Sequence, residues 1–152
     1  MRALLNAWIP VAIAIGVIVL ESTKFLGADH TNGPLRMIYQ AIFGPVSDLA
    51  WLEIHHVIRK TGHFLGYGTI GLLWLRAWHM TAPRLSWLAC SALALLGTAI
   101  IAGSDEFHQS FLPNRTGMFR DVVLDCIGAT VLLSLVLVWK WARTQGNLSR
   151  PA

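Results

Sequence analysis

Side chains able to bind ions, orient a polar ligand or move protons gather in three short stretches of this chain. Arg59-Lys-Thr-Gly-His-Phe-Leu-Gly-Tyr67 sets Lys60, His63 and Tyr67 at i, i+3 and i+7, one face of a helix. Gly62 and Gly66 within it, four apart, are expected to let a neighbouring backbone approach closely. Ser104-Asp-Glu-Phe-His-Gln109 sets Asp105, His108 and Gln109 on a common face, with Glu106 beside them. A turn-rich run, Pro113-Asn-Arg-Thr-Gly117, carries Arg115 and precedes Asp121 and Asp125, which lie four apart with Gly128 beyond. Cations mixed with carboxylates suit a polar pocket for a phosphate or polar head group. His63, His108, Asp105 and Glu106 are weak candidates for a divalent metal, because no compact motif such as H-E-x-x-H orders them. General acid–base work by Asp125 or His108 is chemically open but unspecific. Salt bridges and helix caps that merely fix the packing are the plain alternative.

What must position these residues follows from composition. The chain has 152 residues, 55% apolar and 13% charged, with a net charge of +4, and its mean hydropathy is +0.55. A soluble domain is about 25% charged, so this chain is too poor in charge to coat a globule. It is also too apolar to be disordered, and two cysteines cannot staple a disulfide scaffold. The apolar residues fall in four blocks, three of them of bilayer-spanning length, about 17 residues or more. The shorter one, Thr61 to Leu75, needs snorkelling ends at Lys60 and Arg76 or a Gly-rich fit. The expected fold is all-α: a polytopic membrane protein with four transmembrane helices in a bundle, spans at about 3–20, 61–78, 85–104 and 121–139. One domain fills 1–152, and the first block reads as an uncleaved helix.

The long first loop, 25–59, is expected to carry short amphipathic helices lying at the outer interface. Leu35 to Phe43 has helical period and ends at the breaker pair Gly44-Pro45; Val46, Leu49, Ala50, Ile54, Val57 and Ile58 then repeat at three- and four-residue intervals. Adjacent His55 and His56 diverge by about 100° on a helix and make a poor ligand pair. Cys90 and Cys126 fall near opposite membrane faces, too far apart to bridge.

Four spans place both termini on one side, with basic residues and no acid. Trp8, Trp74, Trp78, Trp87, Trp139 and Trp141 fall at that same end, and only Trp51 at the other. The expected orientation has both termini cytoplasmic and the polar cluster facing outside. Asp125 lies about a turn inside its apolar block, where a carboxylate is costly, so it should face the bundle. It then either meets a donor such as Lys60 or His63, or carries a proton. Asp121, nearer water, is expected to hold Arg115 or Arg120.

At these residues the chain resembles the VanZ-like family of bacterial membrane proteins. The likeness rests on Arg59-Lys-Thr-Gly-His-Phe64 with Tyr67 and Gly71, on Ser104-Asp-Glu-Phe-His-Gln-Ser-Phe111 with Pro113 and Arg115-Thr-Gly117, and on Asp121, Asp125 and Gly128. Family patterns often carry Asn in place of Asp125 and Gly in place of Asn114. The resemblance implies a protein of the bacterial plasma membrane whose relatives confer low-level teicoplanin resistance. It supplies no reaction, cofactor or oligomeric state. Membrane lipids are the expected partners, with a lipid-linked envelope precursor or lipoglycopeptide as ligand, bound and then modified or moved at the outer leaflet; no nucleic acid is expected. Two other readings are a proton-linked small transporter or channel, and a structural helper of an envelope complex.

Overall fold

A computed structural model describes residues 1–23, 28–112 and 117–148. Among them all regular structure is helical: α1 (Arg2–Ser22), α2 (Ala28–Phe43), α3 (Asp48–Thr81), α4 (Trp87–Gln109) and α5 (Phe119–Leu148). The all-α expectation is met, with five helices.

The first loop differs from expectation in one respect. Leu35 to Phe43 does form a helix, α2, stopped at Gly44, whose φ of 88° is open to glycine without a Cβ penalty. The second amphipathic stretch is not a separate interfacial helix. It is the opening of α3, which runs 34 residues without a break. Ser47 caps it by accepting a hydrogen bond from the Ala50 amide, and Asp48 sits in its first turn. No proline falls between Asp48 and Thr81, and the helix ends just before Pro83. At 1.5 Å per residue α3 is about 50 Å long, well beyond a hydrocarbon core of about 30 Å. Its first turns carry α2, through Arg36 bonded to Asp48 (2.6 Å) and the Trp51 indole donating to Asn32.

Three helices are long and apolar enough to cross a membrane: α1, α4 and residues Phe119–Gln145 of α5, with mean hydropathies of 2.4, 1.8 and 2.4. The segment 61–78 of α3, expected as a span, does not reach that level. Four glycines, His63, Tyr67 and Arg76 dilute it. Its position explains why it needs less apolar surface. α3 lies at the centre of the bundle, packed against α1, α4 and α5. Tyr67 and Ile70 join Ile18 and Ala102 at one end; Leu75 joins Cys90, Ala94 and Leu133 at the other, and Ala77 joins Ala7 and Val11. By contrast, α1 exposes Leu5, Ile9, Ile13 and Leu20, and α5 exposes Val123, Ile127, Leu135 and Val138. Such apolar outward faces suit lipid, not water.

The tryptophans gather as the sequence suggested. Trp8 meets Trp74 and Trp78 edge-on, at 5.4 and 5.1 Å between ring centres, and the Lys140 ammonium sits 3.6 Å over the Trp87 ring. α4 extends past the expected 85–104 to Gln109, and α5 past 121–139. The first of these extensions makes Asp105, Glu106 and Gln109 helical.

Candidate functional site

The end of the bundle opposite the tryptophans collects the polar residues. α3 and α5 run parallel here and approach closely. Gly128 lies so near the Phe64 carbonyl that a Cβ would collide with it, and a Cβ at Gly68 would sit 2.6 Å from Leu132 Cδ1. This contact brings two pairs together across the helices. Lys60 Nζ donates to Asp121 Oδ1. One turn deeper, His63 Nδ1 lies 3.4 Å from Asp125 Oδ1. Asp125 is fully buried, and neither of its oxygens has a hydrogen-bond donor. Asp121 therefore holds Lys60: the parallel register sets 60 against 121, while Arg120 is turned outward and exposed.

α4 supplies the third side. Asp105 and Glu106 are both buried. Asp105 Oδ2 accepts from the Tyr67 hydroxyl and from Gln109 Nε2, each at 3.0 Å. Glu106 Oε2 accepts from the Met118 amide at 2.8 Å, and Gly117 makes room for that contact, since a Cβ there would strike the Glu106 carbonyl. The remaining oxygens, Asp105 Oδ1 and Glu106 Oε1, are buried without a partner. Ligand atoms of His63, Asp105 and Glu106 lie within 4.8 Å of one another.

His108 does not join this group. The buried face of α4 is Asp105, Glu106 and Gln109, and His108 falls on the flank and is exposed. Of the face expected through Asp105, His108 and Gln109, two residues point inward, and Glu106, expected in the same polar cluster, takes the buried side that His108 leaves. Arg115 lies outside the described residues. His55 and His56 separate as expected: His55 is buried and stacks on Trp51 at 5.6 Å, and His56 is exposed. Burial, and then the nearby Arg59, hold the His55 imidazole below its usual pKa.

Beside the cluster a groove of about 550 Å³ runs between α1, α2 and α3. Val17, Ile18, Leu35 and Ile70 make its apolar wall, and Glu21, Arg59 and His63 supply its polar residues. A smaller chamber of about 40 Å³ shares Ile18, Glu21, Gly62, His63 and Gly66 with it, and reaches Tyr67, Asp105 and Gln109. Gly62 and Gly66 were expected to admit a neighbouring backbone. They do not: no atom lies within 4 Å of where their Cβ atoms would stand. Their missing side chains leave the groove open, and Gly68 and Gly128 make the close contact. Glu21 and Arg59 escaped sequence reasoning because one ends an apolar block and the other opens a motif. Only the packing of α1 on α3 puts them together.

The family model described as VanZ/LLP1 matches residues 7–140. The chain belongs to the VanZ-like family. With three apolar helices of spanning length it is a membrane protein. No curated protein and no solved structure was found to match it. Of the residues that carry the VanZ-like resemblance, Lys60, His63, Tyr67, Asp105, Glu106, Gln109, Asp121 and Asp125 converge here from α3, α4 and α5, while the groove adds α1 and α2.

Proposed function

We propose that this VanZ-like protein spans the bacterial plasma membrane four times and binds an amphiphile from the outer leaflet, its tail in the groove and its polar head at Arg59, His63 and the Asp105 chamber. One observation carries this reading: an apolar groove of drug-to-lipid size shares residues with a buried polar chamber. A ligand that fills both must be apolar along most of its length and polar at one end. Lipid-linked envelope precursors and lipoglycopeptides have that form, and a change in glycopeptide susceptibility would follow from capturing either.

The fourth span is the C-terminal part of α3. Its core partners on α1, α4 and α5 share its depth, and its His63 and Tyr67 side chains face the bundle rather than lipid, where they would be costly. Both termini are cytoplasmic in this reading. The indole cluster and Lys140 and Arg143 support it, as an aromatic and basic belt on one side.

The proton-linked alternative draws no support from the described interior. Toward the tryptophan end, Ser91 and Thr98 are the buried polar side chains, and each donates to a carbonyl of its own helix. A relay would need titratable groups there.

The test is to purify the protein in mild detergent and identify the lipids it retains by mass spectrometry. Strong enrichment of one amphiphile over its share of the source membrane is expected. Retained lipids that mirror the bulk membrane would overturn the reading.

A further inference from the structure

The cluster of His63, Asp105 and Glu106 has a property that a structural salt-bridge network lacks: it is electrostatically incomplete. Each carboxylate of α4 has one oxygen fixed by protein donors. Tyr67 and Gln109 hold Asp105 Oδ2, and the Met118 amide holds Glu106 Oε2. The other oxygen of each is buried and unmatched, in side chains only 8% and 5% exposed. Asp125, with no exposure and two unmatched oxygens, stands behind His63. Among the described residues, the Lys60 ammonium at this end of the bundle is engaged by Asp121. Three carboxylates thus share a buried volume with one imidazole, and burying an uncompensated charge is expensive.

We propose that His63, Asp105 and Glu106 ligate a first-row divalent metal ion, with Zn²⁺ the best fit. The spacing suits it. Oxygen and nitrogen donors stand about 2.0–2.2 Å from tetrahedral zinc, hence about 3.4 Å from one another, and the ligand atoms here, all within 4.8 Å of one another, would draw inward by about an ångström on binding. One imidazole nitrogen with two carboxylate oxygens favours a transition ion over Mg²⁺ or Ca²⁺, which take all-oxygen sets. The outer shell is already built. Tyr67, Gln109 and the Met118 amide orient the carboxylates, and Asp125 is a positioning residue behind the His63 ring, in the manner of carboxylate–histidine–metal sites. Two of the ligands, His63 and Asp105, line the small chamber beside Gly62, from which an anionic head group could complete the coordination. The metal site stands without the amphiphile reading, because its ligands are all protein groups.

The experiment uses the full chain in detergent. Metal content is measured by mass spectrometry after purification. The protein is then stripped with EDTA and titrated with Zn²⁺, Mn²⁺ and Mg²⁺ while its melting temperature is followed. About one equivalent of Zn²⁺ should bind and raise the melting temperature, with Mg²⁺ ineffective. Asp105→Asn, which keeps the side-chain shape, and His63→Gln should each weaken Zn²⁺ binding by about 10-fold or more, whereas His108→Ala should leave it unchanged. Co²⁺ loaded in place of Zn²⁺ should show a visible spectrum that Asp125→Leu shifts while the protein stays folded, which a purely structural role would not do. Absence of a Zn²⁺-dependent shift in the wild type, or equal binding by wild type and Asp105→Asn, would overturn the proposal. Lipid content of the same preparations reports on the groove separately, so metal bound without amphiphile would retain this site and refute the lipid reading alone.

Discussion

Asp121 and Asp125 sit one turn apart on α5 and do different work. Asp121 pairs with Lys60 at the rim, where the two side chains are 19% and 30% exposed. Exposed pairs contribute about 0–1 kcal/mol, and breaking a buried pair costs about 3–5 kcal/mol, so a half-buried one falls between. Lys60→Met or Asp121→Asn should each lower stability in detergent by about 1–3 kcal/mol, and the double change Lys60→Met/Asp121→Asn should cost less than the sum. A thermal melt of the four proteins checks this; additive losses would place the two residues in separate environments. Asp125→Asn keeps an oxygen facing His63 and removes a buried titratable group, so its stability should stay within roughly 0.5 kcal/mol of wild type. A collapse of Asp125→Asn with Asp121→Asn intact would invert these roles. Much of this was legible in the sequence. A carboxylate inside an apolar block has to turn inward, and His63 was among the donors it could meet. Asp121's partner was not legible, because it depends on the register of α3 against α5, which no local spacing encodes.

Among the helices, α3 carries the arrangement. Its glycines divide by face: Gly68 and Gly71 pack against α5, and Gly62 and Gly66 open toward the groove. Opposite responses to one methyl group follow. Gly128→Ala, forced against the Phe64 carbonyl, should destabilise by about 1–3 kcal/mol through overpacking. Gly66→Ala meets empty space and should be neutral, or stabilising by up to about 1 kcal/mol, since alanine loses less entropy in a helix. Equal losses at both positions would mean that the two faces are not distinguished as described. The sequence revealed helical periods and the G62/G66 spacing but not which side that spacing faced. A four-residue glycine repeat fits close helix contact and an open cleft equally well, and only the position of α1 and α2 decides. The long α3 was hidden for a related reason. Its amphipathic opening and its apolar remainder differ in composition, although no residue between them breaks a helix.

For the molecule as a whole, the belt of indoles at one end and the carboxylate cluster at the other give the bundle a polarity. With Cys90 and Cys126 replaced by alanine, single cysteines at Phe111 and Thr144 report it, both positions being exposed at opposite ends. In intact cells, an impermeant thiol reagent should label position 111 and spare 144. The reverse would turn the protein over and place the cluster inside.

The claim on which the account turns is that the groove between α1, α2 and α3 holds an amphiphile. Gly66→Leu would put a branched side chain into the groove where no atom stands within 4 Å of the new Cβ, while Gly16→Leu, equally unobstructed on α1, does not line it. Native mass spectrometry of the two variants beside wild type is the most direct test. The account predicts that wild type and Gly16→Leu carry the bound amphiphile and that Gly66→Leu, with an unchanged melting temperature, has lost it; equal retention by all three would contradict it.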